Sequence, residues 1–68
     1  SMAYYWVTTP ELTEEDQSDL GLDQGFDEQQ HAEEWLTASY AELADFGVHA
    51  VALFDEGRLV YGPMSLEA

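Results

Sequence analysis

Glu28-Gln29-Gln30-His31 places a carboxylate three residues ahead of an imidazole, the spacing by which a helix presents two metal ligands on one face. Ferritin-like bundles use that pair as part of a di-iron site, but they need two such motifs and two further carboxylates on four facing helices. This chain has one long helical segment. Glu28 also suits a helix N-terminus, where a negative charge complements the dipole, and His31 then falls at a solvent edge one turn in. His49, between Val48 and Ala50, could act as a base or ligand, although a lone strand histidine more often makes one local hydrogen bond. A small metal- or ligand-binding domain built on Glu28, His31 and His49 is therefore one functional class to test.

Nucleophilic catalysis finds no support. Ser18, Ser39 and Ser65 lack a histidine and carboxylate at a recognisable spacing, and no Gly-x-Ser-x-Gly elbow or phosphate-cradling glycine loop occurs. Paired acids such as Glu14-Glu15 and Glu33-Glu34 point about 100° apart on a helix. A glycosidase pair also needs a cleft that so small a domain can scarcely build. The expectation is a protein that is not an enzyme and carries no cofactor.

The acids themselves are the dominant chemistry. Fifteen Asp and Glu stand against one cation, Arg58, for a formal charge of −14, and cysteine is absent. Nothing here neutralises phosphates, so charge argues against direct contact with DNA, RNA or an anionic membrane. Zero cysteines exclude a disulfide framework, a thiolate zinc site and a cysteine nucleophile. Glu11, Glu14, Glu15, Asp16, Asp19, Asp23, Asp27 and Glu28 crowd one segment, and Glu33, Glu34, Glu42 and Asp45 continue along the next. Three readings compete. The array could imitate nucleic-acid phosphates and occupy a basic protein surface; it could be adaptation to a high-salt cytoplasm; or it could simply keep an aromatic-rich domain soluble. The residues expected to meet a basic partner are Glu14, Glu15, Asp16, Asp19, Asp23, Glu34, Glu42 and Asp45, with Trp6 and Tyr61 as aromatic anchors if exposed beside them.

The elements that must position these groups follow from spacing. Hydrophobic residues make up 46% of the chain and aromatics 13%, too much for disorder despite the charge. Tyr4-Tyr5-Trp6-Val7-Thr8 reads as a strand stopped by Pro10. Thr13 can cap a short helix over Glu14 to Leu20. Asp27 to Phe46 reads as the main helix, with a capping-box signature in Asp27 and Gln30 and Gly47 at the C′ position. Its core stripe is Ala32, Trp35, Leu36, Tyr40, Leu43 and Phe46. Val48 to Phe54, a turn at Asp55-Glu56-Gly57, and Arg58 to Tyr61 form a hairpin that Gly62-Pro63 ends. Arg58 is expected to pair locally with Asp55 or Glu56, and Met64 and Leu66 to pack onto the domain.

The result is a single α+β domain over residues 1–68, with Ser1 reading as a tag remnant. Its order is β-α-β-β: a three-stranded sheet with one main helix packed on one face, and an extra short helix before it. Strand order is open. The first strand could join the second in parallel through a right-handed crossover, or it could pair with the third. Both parities of the strands carry apolar residues, Tyr5 and Val7 beside Tyr4 and Trp6, and Val51 and Leu53 beside Ala52 and Phe54, so both faces want cover. Either Leu12, Leu20, Leu22 and Phe26 fold back over the second face, or a second copy forms a homodimer through it, or a partner covers it. No apolar run approaches the roughly 20 residues that cross a bilayer, and no signal peptide is apparent, which makes cytoplasmic the default.

The order Ala32-Glu33-Glu34-Trp35-Leu36, then Gly47-Val48, then Val60-Tyr61-Gly62-Pro63-Met64-Ser65-Leu66 resembles a set of small acidic, uncharacterised actinobacterial proteins over roughly the last two-thirds of the chain. The resemblance implies a cytoplasmic bacterial protein and makes the high-salt reading less attractive, and it brings no activity, cofactor or catalytic residue. The expectation carried into the structure is a non-catalytic interaction or regulatory module.

Overall fold

Thr13 ends an extended stretch and its hydroxyl accepts the Asp16 amide at 3.1 Å. That satisfies one of the free N–H groups at a helix start, and it launches a helix over Glu14–Leu20. The computed structural model describes residues 3–67, and Ser1 lies outside them. Its elements are β1 (Tyr4–Thr9), α1 (Glu14–Leu20), α2 (Gln29–Asp45), β2 (Ala50–Asp55) and β3 (Arg58–Ser65). The fold is α+β with order β-α-α-β-β. The Cα radius of gyration is 11.0 Å, about what a compact chain of this length has.

The sheet has order β1-β2-β3 and both pairings are antiparallel. This settles the strand order left open above: β1 lies beside β2, not β3, and no parallel crossover forms. Both helices occur within the β1-to-β2 connection, so β2 can return antiparallel alongside β1. Tyr4 opposes Asp55, Trp6 opposes Leu53 and Thr8 opposes Val51.

That register sorts the residues by face. Trp6, Thr8, Val51 and Leu53 are buried on the face that carries α2, where the Trp6 indole N–H donates to the Ala32 carbonyl at 2.9 Å. Ala32, Leu36 and Leu43 of α2 complete the core with Leu20, Leu22, Val48 and Leu66. Leu12 and Phe26 pack against the same cluster. The segment between Glu11 and Phe26 therefore does not cover the second face. It joins α2 on the first, because Phe26 pairs with the free edge of β1 (Tyr4 N–H to Phe26 O, 3.0 Å; Phe26 N–H to Tyr4 O, 2.8 Å). The outer face is left with Val7 and Leu59 exposed, 41% and 54%, and with Tyr5 stacked on Phe54 at 5.7 Å.

Helix α2 departs from expectation at both ends. It starts at Gln29 with Glu28 as N-cap and no side-chain cap bond, so the capping box between Asp27 and Gln30 does not form. Asp27 sits one residue too early to reach the first-turn amides and instead lies 3.3 Å from the His31 ring, while Gln30 donates to Glu34. The stripe holds at Ala32, Leu36 and Leu43 but opens toward the C-terminus. Tyr40 is 43% exposed and Phe46 45%, with the Tyr40 hydroxyl donating to the Leu66 carbonyl at 2.6 Å. Gly47, with φ 94°, is the left-handed residue after the Phe46 cap.

The hairpin turn is Glu56-Gly57, both at positive φ (51° and 84°), the two-residue arrangement whose twist matches that of paired strands. β3 does not stop at Gly62-Pro63; it runs on to Ser65 through two register shifts against β2. Pro63 is tolerated because β3 is an edge strand, where a missing N–H need not break a ladder. Gly62 has φ 107°, and a Cβ there would fall 2.9 Å from both the Ala52 Cα and the Val51 carbonyl.

Gly57 and Gly62 thus give a matched pair of tests. Gly57→Ala, at positive φ in open space, should cost about 1 to 2 kcal/mol for the left-handed backbone alone. Gly62→Ala adds backbone collision to that strain and should cost about 3 kcal/mol or more. Urea denaturation followed by tryptophan fluorescence measures both; equal losses would mean that β3 does not run close against β2 at Ala52.

Candidate functional site

The acids expected to meet a partner are placed by α1, the loop after it and α2. Glu14, Glu15 and Asp19 are exposed on α1, Asp23 is exposed in the loop, and Glu34, Glu42 and Asp45 are exposed on α2; Asp16 is half-buried at the first turn of α1. The three acids in that first turn lie where the helix dipole favours them. Glu33 and Glu34 accept from Gln29 and Gln30 one turn earlier. Among the described residues the ion pairs are two histidine contacts, Asp27 with His31 and Glu67 with His49. Arg58 faces Asp55 in the strand register but forms no ion pair among the described residues. Among the described residues no lysine or arginine compensates the acidic surface.

Trp6 is not an exposed anchor. It is 5% exposed, because its position on β1 shares the parity of Leu53 and faces α2 rather than solvent. Tyr61 is half-buried and meets the Trp6 ring edge-on at 5.9 Å. Burial, and secondarily the negative charge of Glu33, pushes its phenol above the ordinary value. Neither aromatic lies open beside the acids as a protruding hot spot would.

Asp27, Glu28 and His31 come together, each offering a ligand atom within 4.8 Å of the others, and all three are exposed. This is the Glu-x-x-His pair with one more carboxylate. His49 does not join it: it follows the opposite end of α2 and lies 3.5 Å from Glu67, about 25 Å away by helix rise. Three exposed donors on one short stretch of chain form a shallow cluster without the enclosing ligand shell of a structural metal centre.

One concavity was not legible in the sequence. A cleft of about 380 Å³ runs along the free edge of β1, between Tyr5 to Thr8 on one side and Gln17, Leu22 and Gly25 on the other, with Glu11 and Asp23 among the residues that line it. Gln17 and Gln24 are fixed there by donating to the carbonyls of Leu12 and Gly21, both at 2.7 Å. Of the predicted site residues only Trp6 and Asp23 line it. Its walls are distant in sequence and meet only because β1 is an edge strand, which no local spacing reveals.

Two measurements bear on these groups. The raised Tyr61 phenol means that the folded chain holds this proton more tightly than the unfolded chain. Its contribution to stability is complete below about pH 10 and is lost as pH climbs through the folded value, so Tyr61→Phe should flatten that part of the pH–stability curve. Zinc, iron or manganese added to the protein should leave its melting temperature unchanged; a concentration-dependent rise abolished by His31→Ala would instead make Asp27, Glu28 and His31 a metal site. In the comparisons with known proteins, no family model, no curated protein and no solved structure matches this chain.

Proposed function

We propose that this domain is a non-catalytic interaction or regulatory module that presents an acidic surface to a basic protein, occupying a site that would otherwise hold nucleic-acid phosphates. The observation that carries the reading is the uncompensated charge. Glu14, Glu15, Asp19, Asp23, Glu34, Glu42 and Asp45 are exposed, and no lysine or arginine engages them among the described residues. Charges spread this way act mostly on encounter. They steer a basic partner, raise the association rate and make binding sensitive to salt.

The reading separates from solubility by a direct experiment. Immobilised protein is challenged with basic DNA-binding proteins, with free DNA as competitor and with rising salt. A partner displaced by DNA, whose association slows at least about tenfold when Glu14, Glu15, Asp19 and Asp23 are changed together to Gln and Asn, supports it. If the neutralised protein associates unchanged and merely becomes less soluble, the acids serve solubility.

A second reading rests on the outer sheet face, where Val7 and Leu59 are exposed around the Tyr5–Phe54 stack. A homodimer through that face would cover them. Self-repulsion between copies of charge −14 opposes it at low salt, so sedimentation equilibrium in about 1 M salt, where screening extends only about 3 Å, is the condition in which a dimer should appear. Leu59→Lys should abolish it.

A further inference from the structure

Backbone direction along β1 can be read residue by residue. Glu56 donates to the Ala3 carbonyl and His49 to the Thr9 carbonyl, so the odd-numbered residues from Ala3 to Thr9 turn their peptide groups toward β2. Tyr4 turns the other way and exchanges both of its backbone bonds with Phe26. Because successive residues of a strand alternate, Trp6 and Thr8 point their N–H and C=O groups to the same side as Tyr4. No hydrogen bond to these four groups forms among the described residues. Phe26 is in effect the last residue of a fourth, antiparallel strand, whose earlier positions opposite Trp6 and Thr8 the chain from Leu22 to Gly25 leaves unpaired.

The space that this strand would fill is the cleft along β1. Trp6 and Thr8 line it together with Leu22, Gly25, Glu11 and Asp23. The distance from Trp6 to Thr8 is about 7 Å at strand rise, and the volume, about 380 Å³, is that of about a dozen waters, which is room for a short stretch of extended chain. Gly25 at the end nearest Phe26 brings no side chain into that space.

We propose that the open edge of β1 receives an extended, lysine- or arginine-bearing segment of a partner protein, which pairs with Trp6 and Thr8 as an added strand and lays its basic side chains on Glu11 and Asp23. Strand addition of this kind takes affinity from main-chain bonds and specificity from alternate side chains. Charge selects the occupant. A second copy of this chain would bring its own Glu11 and Asp23 to the same edge and oppose −14 with −14, whereas a basic segment is drawn in. The inference rests on the acidic-surface reading and adds to it a docking mode, a register and a partner conformation.

The test uses the whole domain, ¹⁵N-labelled, with a short peptide of alternating lysine and valine. Two controls accompany it: the same peptide with alternate backbone amides N-methylated, which keeps the charge but removes one row of donors, and a glutamate–valine counterpart. The expected result is that the lysine peptide shifts the Trp6 and Thr8 amide resonances and slows their hydrogen exchange. N-methylation should weaken binding about tenfold or more, a loss of about 1.4 kcal/mol, and the glutamate peptide should not bind. Glu11→Gln with Asp23→Asn should weaken the lysine peptide without altering the fold seen in the remaining resonances.

If both lysine peptides bind equally, in a salt-dependent way that leaves Trp6 and Thr8 unmoved, the strand-addition proposal is overturned while the acidic-surface reading survives. If neither the peptides nor the basic DNA-binding proteins bind at low salt, both fail. Protection of Trp6 and Thr8 in the free protein, with a mass in solution of two chains, would assign the edge to a second copy and overturn the proposal by that route.

Discussion

The buried hydrogen bond from the Trp6 indole to the Ala32 carbonyl is the constraint around which this domain is organised. One side chain joins the edge strand to the main helix, meets Tyr61 of the far strand edge-on, and faces the side of β1 that borders the cleft. A buried indole N–H without an acceptor would carry a desolvation cost of about 1 to 3 kcal/mol, so the position of β1 against α2 is held by a polar requirement as well as by apolar contact. Tyr40 performs the corresponding service further along the helix, where its hydroxyl reaches the chain after β3. With the helix tied to β1 near its start and to the C-terminal chain further on, the sheet has little freedom to shear beneath it.

A small domain must economise on core, and this one does so by placing nearly all of its structure on one side of the sheet. Leu20, Leu22, Leu12 and Phe26 join α2 there instead of closing the far face. The consequence is a division of surfaces: acids on the helices and their connecting loop, and an apolar outer sheet face with few charges. Folding succeeds against so much like charge because the acids are spread over α1, α2 and the loop at solvent-exposed positions, where water screens them, and because the residues that are buried are almost wholly apolar.

Local chemistry was legible in the sequence and long-range partnership was not. Thr13 and the acids after it marked α1 to the residue, and Asp55-Glu56-Gly57 marked the hairpin, of which Glu56 and Gly57 make the turn while Asp55 still belongs to β2, because caps and tight turns are decided by their own few residues. Asp27 and Gln30 made an equally good cap signature, yet the helix starts two residues later. Only the observed backbone tells which of several polar residues lies in the capping position. Gly62-Pro63 looked like a strand end, but its tolerance depends on β3 being an edge, and that follows from strand order. The burial of Trp6 was hidden for a similar reason: in Tyr4-Tyr5-Trp6-Val7 both parities are apolar, so alternation cannot say which faces the helix. The cleft combines these unknowns, since it exists only where an edge strand passes residues some ten to twenty positions away.

The two edges of the sheet are not equivalent. β3 carries Pro63, which offers no amide hydrogen, and two register shifts that distort its ladder, whereas β1 presents regular backbone beyond Tyr4. Open-ended growth of sheets from molecule to molecule needs a receptive edge at each end, because each newcomer must offer a template to the next. A chain with one receptive edge and one irregular edge can be joined once and then terminates the series. The stoichiometry of any edge-on assembly is thereby written into the irregularity of β3, and the same irregularity protects an aromatic-rich sheet from fibre formation.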